Sequence, residues 1–193
     1  MIFGIVSILI ILYGCASSSK SITFEQGVKR INEIDKEYGV DMKTLPNSTE
    51  KISGLLTQIT GFAALNKNMP KSLEYLLDFR IKTLEAELLH IEGWQWGRGS
   101  TTDWGFGCKK GSVRILNSSS IRGSSAQRGF EALEALQLFV DDFPTEAKSL
   151  DFSQKDILFL NAAYQQVEDK AAKDSRTIRS VCKKQIKELN IKG

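Results

Sequence analysis

The sequence predicts an all-α protein, an antiparallel bundle of about five helices with one long Gly/Trp-rich crossover loop. Apolar residues recur at steps of three and four through most of the chain, the spacing that gathers side chains on one helix face. Start signals of the Ser/Thr/Asn-x-x-Gln/Glu/Asp kind and stops at Gly or Pro bracket these stretches. Residues 112–116 read as a short strand or a buried turn, but no second strand is on offer, so no sheet is expected.

Thr23 with Gln26 forms a capping box for a first helix, whose face is Phe24, Val28, Ile31, Ile34 and Tyr38, with Gly39 as the stop. A connector with Pro46 follows. Asn47 with Glu50 starts a second helix, with Ile52, Leu55, Leu56, Ile59, Phe62 and Ala63 on one face, fading near Asn66. A third opens at Asn68 and Pro70, where proline's missing N–H costs nothing. Its stripe is Leu73, Leu77, Ile81, Leu84, Leu88 and Ile91, ending at Gly93.

The crossover is expected to span residues 93–124. A fourth helix then starts at Ser124 with Gln127, buries Phe130, Leu133, Leu136 and Val140, and closes at Phe143-Pro144. A helical turn covers residues 145–150. Ser153 with Asp156 caps the last helix, whose stripe includes Ile157, Leu160, Tyr164, Val167, Ala171, Ile178, Val181, Ile186 and Leu189. Asp174 and Ser175 fall on or near that seam, which predicts a bend or a break there. There is no internal repeat, and residues 23–193 fit a single domain.

Ahead of the bundle lies an apolar run too short to cross a bilayer, for which about 20 residues are needed. It ends in Leu12-Tyr13-Gly14-Cys15, followed by Ala16 and Ser17-Ser18-Ser19-Lys20. This resembles the lipobox of prokaryotic lipoproteins. The resemblance covers the first twenty residues or so. Tyr13 is bulkier than is usual there, and no basic residue precedes the apolar run. It implies a signal peptide over 1–14, a lipid on Cys15, a tether over 15–22, and a place at a membrane outside the cytoplasm.

With Cys15 carrying lipid, Cys108 and Cys182 remain, and an oxidising compartment favours a disulfide between them over two free buried thiols. Closing so long a loop stabilises a fold by roughly 4 kcal/mol in the chain-entropy picture.

The crossover holds all three tryptophans, Trp94, Trp96 and Trp104. In extended chain, Trp94 and Trp96 point the same way and offer a stacking platform; their other use is to lie over the open end of the bundle as a lid. Arg98, Lys109, Lys110 and Arg114 lie in the same segment. A Cys108–Cys182 bridge sets Lys109 and Lys110 beside Lys183 and merges two basic segments into one patch. Net charge is only +3, so this local asymmetry says more than the total. It points to an anionic partner: an acidic glycan, a cell-wall polymer or an acidic protein face. Nucleic acid is not the expected partner.

Signs of an enzyme are sparse. His90 is the sole histidine, and there is no metal-ligand spacing, nucleophile elbow or phosphate loop. No cofactor or metal is expected. Glu92 with Asp103 is the one pair that a cell-wall or glycan hydrolase could use, with Glu92 as general acid. A third possibility is a purely structural protein-interaction domain without a small ligand, which an exposed apolar patch would favour.

Overall fold

A computed structural model describes residues 21–98 and 108–188. Among these residues the chain is helical with no strand. Seven helices follow in order: α1 (Phe24–Glu37), α2 (Thr49–Leu65), α3 (Lys71–Arg98), α4 (Cys108–Asp142), α5 (Pro144–Ser149), α6 (Gln154–Val181) and α7 (Lys183–Glu188). Five are long, as the periodicity predicts, and α5 and α7 are short. None of the described helices is long and apolar enough to cross a membrane.

The local start signals work as expected. Gln26 N–H donates to Thr23 Oγ1, and Thr23 N–H donates back to Gln26 Oε1. Ser153 and Asp156 close the same reciprocal box on α6. For α2 the cap is Ser48, one residue beyond Asn47, accepting from Lys51 N–H.

Helices α3 and α4 run antiparallel down the centre and α6 lies antiparallel along α4. Tyr75 meets Phe143 at one end of the α3/α4 pair, and Ser118 meets Gly93 towards the other. Phe139 meets Phe152 just ahead of α6, and Phe130–Tyr164 and Arg122–Asp174 mark successive levels of the α4/α6 pair. The shorter α1 and α2 flank only the first half of α3. Gly27 of α1 sits against the Leu73 side chain, close enough that a Cβ would collide with it.

Two regions result. The base comprises α1, α2, the first half of α3, the second half of α4, α5 and the start of α6. Its core contains Ile31, Ile34, Leu55, Leu73, Leu76, Leu84, Leu136 and Phe139. Beyond the level of Leu84, the rest of α3, α4 and α6 extends as a three-helix arm, about 21 Å along α3 at 1.5 Å per residue.

The base also buries an ion pair that the periodicity gives no hint of. Arg80 Nη2 donates to Asp35 Oδ1 at 2.7 Å, both side chains being shut off from solvent. The same guanidinium donates to the carbonyls of Asp41, Met42 and Thr44. One arginine thus satisfies three carbonyls of the α1–α2 connector, in which Gly39 takes φ +73°.

Three expectations need correction. The stretch 93–124 is not one long loop: α3 continues to Arg98 and α4 begins at Cys108, so residues 112–116 are helical and Ser124 lies inside a helix. The serines that suggest a flexible segment are helix-packing residues. Ser118 Oγ donates to the Gly93 carbonyl at 2.7 Å and Ser125 Oγ to the Ala86 carbonyl at 2.8 Å. Helix α6 is not broken at Asp174 and Ser175: Asp174 pairs with Arg122 across the seam and with Lys170 on its own helix, and the helix ends at Cys182. Val181 is exposed rather than part of the inner stripe.

Candidate functional site

Where α3 and α4 meet in the arm, small residues set the spacing. A Cβ on Gly93 would lie 2.6 Å from Arg122 Cγ and 3.3 Å from the Ser118 carbonyl oxygen. Only glycine lets the helices approach so closely here. Ser118 and Ser125 are seven residues apart on α4, as Ala86 and Gly93 are on α3, so the close contact repeats along the seam.

At the end of the arm, Cys108 and Cys182 form a disulfide with their Cα atoms 5.4 Å apart. It ties the start of α4 to the α6–α7 junction. A small apolar cluster of Leu116, Ile178, Cys182 and Ile186 packs behind it.

Between this cluster and the end of α3 lies a groove of about 380 Å³. Trp94 forms one wall, with Ile115 and Ile178 among its other apolar lining. Trp94 is 52 % exposed, yet its indole N–H donates to His90 Nε2 at 2.9 Å, one helical turn back. His90 therefore carries its Nε2 as an acceptor, and the two rings meet edge to face. This is a bracing role for the sole histidine.

The charged groups of the groove are Arg98, Arg122, Lys170 and Asp174. Arg122 is buried, and its Nη2 donates to Asp174 Oδ2 at 2.7 Å. Lys170 Nζ donates to Asp174 Oδ1, also at 2.7 Å. Burial pushes the Asp174 carboxyl up, but the hydrogen bonds and charges of Lys170 and Arg122 outweigh this and hold it below its ordinary value. Two cations share one acid, and exposed Arg98 adds a third positive charge. The lining is positive overall and apolar on its walls.

The predicted site residues divide. Trp94 and Arg98 line the groove. Trp96 is exposed, but on a helix a separation of two residues turns it about 200° from Trp94. The shared stacking platform expected for extended chain is therefore not formed. Lys183 is exposed beside the disulfide, and Arg114 is half-buried on α4; neither lines the groove. Lys109 and Lys110 fall in the first turn of α4, whose backbone the disulfide ties to Cys182, the residue before Lys183. Trp104, Asp103 and Cys15 lie outside the described residues, so the Glu92–Asp103 pair has no geometry here; Glu92 itself is exposed. Among the described residues, no cluster of His, Cys, Asp or Glu has the makings of a metal site.

Sequence reasoning missed Arg122 and Asp174 as a pair. A signal was present: Asp174 interrupts an apolar stripe, and a charge on a seam needs a partner on the facing helix. No protein-family model matches the chain, and neither a curated protein nor a solved structure does.

Proposed function

We propose that the protein is a lipid-anchored binding module outside the cytoplasm, recognising an anionic partner through the groove at the end of its arm and the adjoining C-terminal helices. The observation that carries this reading is the groove lining. A half-exposed tryptophan, fixed by a histidine, stands beside cations that outnumber the acid they share. Solvent-facing tryptophan and arginine are the residue types that most often anchor binding sites. The resemblance of residues 12–15 to a lipobox supports the anchor, and a disulfide suits the oxidising compartment that the anchor implies.

Two measurements test it. In cells making the full chain, the protein should sediment with membranes and the Cys15→Ser variant should not. On immobilised polygalacturonate, the detergent-solubilised chain should be retained in a salt-sensitive way, and Arg98→Gln with Lys183→Gln should cut retention several-fold. Equal retention of the double variant would overturn the assigned surface.

A purely protein-binding role is the second reading. It rests on Leu158 and Phe159, which are 69 % and 73 % exposed on the outer side of α6. They fall within a run from Ile157 to Val167 that carries no charge. Sedimentation of the chain against Phe159→Ser tests whether that face self-associates.

A further inference from the structure

The groove already contains a carboxylate. Asp174 receives Arg122 on one oxygen and Lys170 on the other. Lys170 lies one turn earlier on the same helix and reaches the groove from solvent, its side chain 58 % exposed. Arg122, only 7 % exposed, stays charged whatever occupies the groove, since arginine does not deprotonate in proteins. A flat aromatic face at Trp94 and the apolar Ile178 stand beside these cations. The volume, about 380 Å³, is at the lower end of small-molecule sites.

Cations of this kind select an acid, and the tryptophan face selects a flat or ring-shaped body. A linear acid gains only the first contact and a neutral ring only the second. We propose that Asp174 is a resident stand-in for the groove's ligand, a carboxylate carried on a six-membered ring that packs on Trp94 and competes with Asp174 for Arg122 and Lys170. This rests on the binding reading above and adds the ligand's chemical class and a competitor built into the chain. Sugar acids and aromatic acids share this chemistry.

The test uses the detergent-solubilised full chain with Trp96→Phe and Trp104→Phe, which leaves Trp94 as the sole tryptophan of the three. Its fluorescence is titrated with glucuronate, benzoate, acetate and glucose. The ring acids should give saturable changes, with acetate and glucose at least about tenfold weaker. Asp174→Asn keeps an oxygen for Arg122 but removes the competing charge. It should tighten ring-acid binding about tenfold. Trp94→Ala, read by calorimetry, should reduce benzoate and glucuronate to the affinity of acetate. Trp94 is half-exposed, so that arm decides the matter even if Asp174→Asn fails to fold.

An unchanged or weaker affinity in folded Asp174→Asn would overturn the inference, as would acetate binding as well as the ring acids. Polygalacturonate retained through Arg98 and Lys183, with no monomer perturbing Trp94, would leave the binding reading standing and remove this one. Absence of both would remove both. A preference for glucuronate over benzoate assigns a sugar acid, and the reverse an aromatic one.

Discussion

The base and the arm of this molecule share three helices yet are held together differently. In the base the shared helices bury Leu73, Leu76, Leu84, Leu136 and Phe139 in one cluster with Ile31 and Ile34 of α1 and Ile52, Leu55 and Ile59 of α2. Each such side chain is worth about 1.5–3 kcal/mol when fully buried. In the arm the same helices bury Ser112, Ser118, Ser119, Ser125 and Arg122, and the apolar cluster shrinks to a few residues around Cys182. The arm trades apolar area for close approach, polar bonds across the seam and a covalent tie. That trade leaves a groove in the arm where cations stand beside a tryptophan, whereas the groove of the base, between α1 and α5, holds no tryptophan and mixes Glu25, Glu33 and Glu146 with Lys29 and Lys36.

The largest test of this contrast is removal of the tie. The disulfide spans a sequence separation of 74 residues. In the chain-entropy picture, Cys108→Ser with Cys182→Ser should cost about 4.5 kcal/mol. If the arm depends on it more than the base does, hydrogen exchange should quicken first in α7 and the first turns of α4. Protection around Ile31, Leu55 and Leu73 should fall only with global unfolding. Uniform loss across both regions would dissolve the distinction.

The base was legible in the sequence because its code is apolar periodicity. Leu73, Leu77 and Leu84 on α3, and Leu133 and Leu136 on α4, occupy the buried positions their spacing predicts. The arm was not, because its code is small residues at similar spacing. Glycine and serine are weak helix formers and common in loops, so Gly93, Gly97, Ser118 and Ser125 suggest a flexible crossover. Burial against a neighbouring helix overrides that propensity, and the hydroxyls bond to carbonyls across the seam. The candidate site shared the error: Trp94 and Arg98 belong to the groove, but the reading of Trp96 as a partner of Trp94 needed extended chain. The Cys108–Cys182 pairing was legible from compartment logic rather than from pattern.

Next in size is the buried ion pair of the base. Asp35→Ala leaves Arg80 charged, buried and bonded only to carbonyls. The expected cost is about 3–5 kcal/mol, seen as a lower urea midpoint. Arg80→Met with Asp35→Leu should recover much of it, since an apolar pair removes both desolvated charges. No recovery would mean that the carbonyls of Asp41, Met42 and Thr44 are the more important partners.

Gly93→Ala probes the arm at its tightest point. The added methyl must displace Arg122 and crowd the Ser118 carbonyl. Overpacking of this kind costs roughly 1–3 kcal/mol, against a gain of up to about 1 kcal/mol in helix propensity. A net loss of about 1 kcal/mol should lower Tm by about 2–4 °C in a chain of this size. A rise in Tm would show that the seam is looser than its geometry suggests.

The smallest effect separates the regions by sign. Asp174, in the arm, is held below its ordinary value of 3.8 once its cations outweigh burial. Its contribution is complete above that value and lost as pH falls through the folded pKa. Asp35, in the base, is raised: burial dominates the opposing charge and hydrogen bond of Arg80, and its Oδ2 has no hydrogen-bond partner. There the folded state holds a proton more tightly than the unfolded chain, so stability declines as pH rises from 3.8 towards the folded pKa. Urea unfolding of the native chain, Asp174→Asn and Asp35→Asn across about pH 3–6 reads both signs. The advantage of the native chain over Asp174→Asn should grow with pH and then level off, at roughly 1 kcal/mol for a network that opens to solvent on its Lys170 side. Its margin relative to Asp35→Asn should shrink over the window above 3.8. Margins that move in the same direction would mean that the buried arginine controls its aspartate as firmly in the base as the paired cations do in the arm.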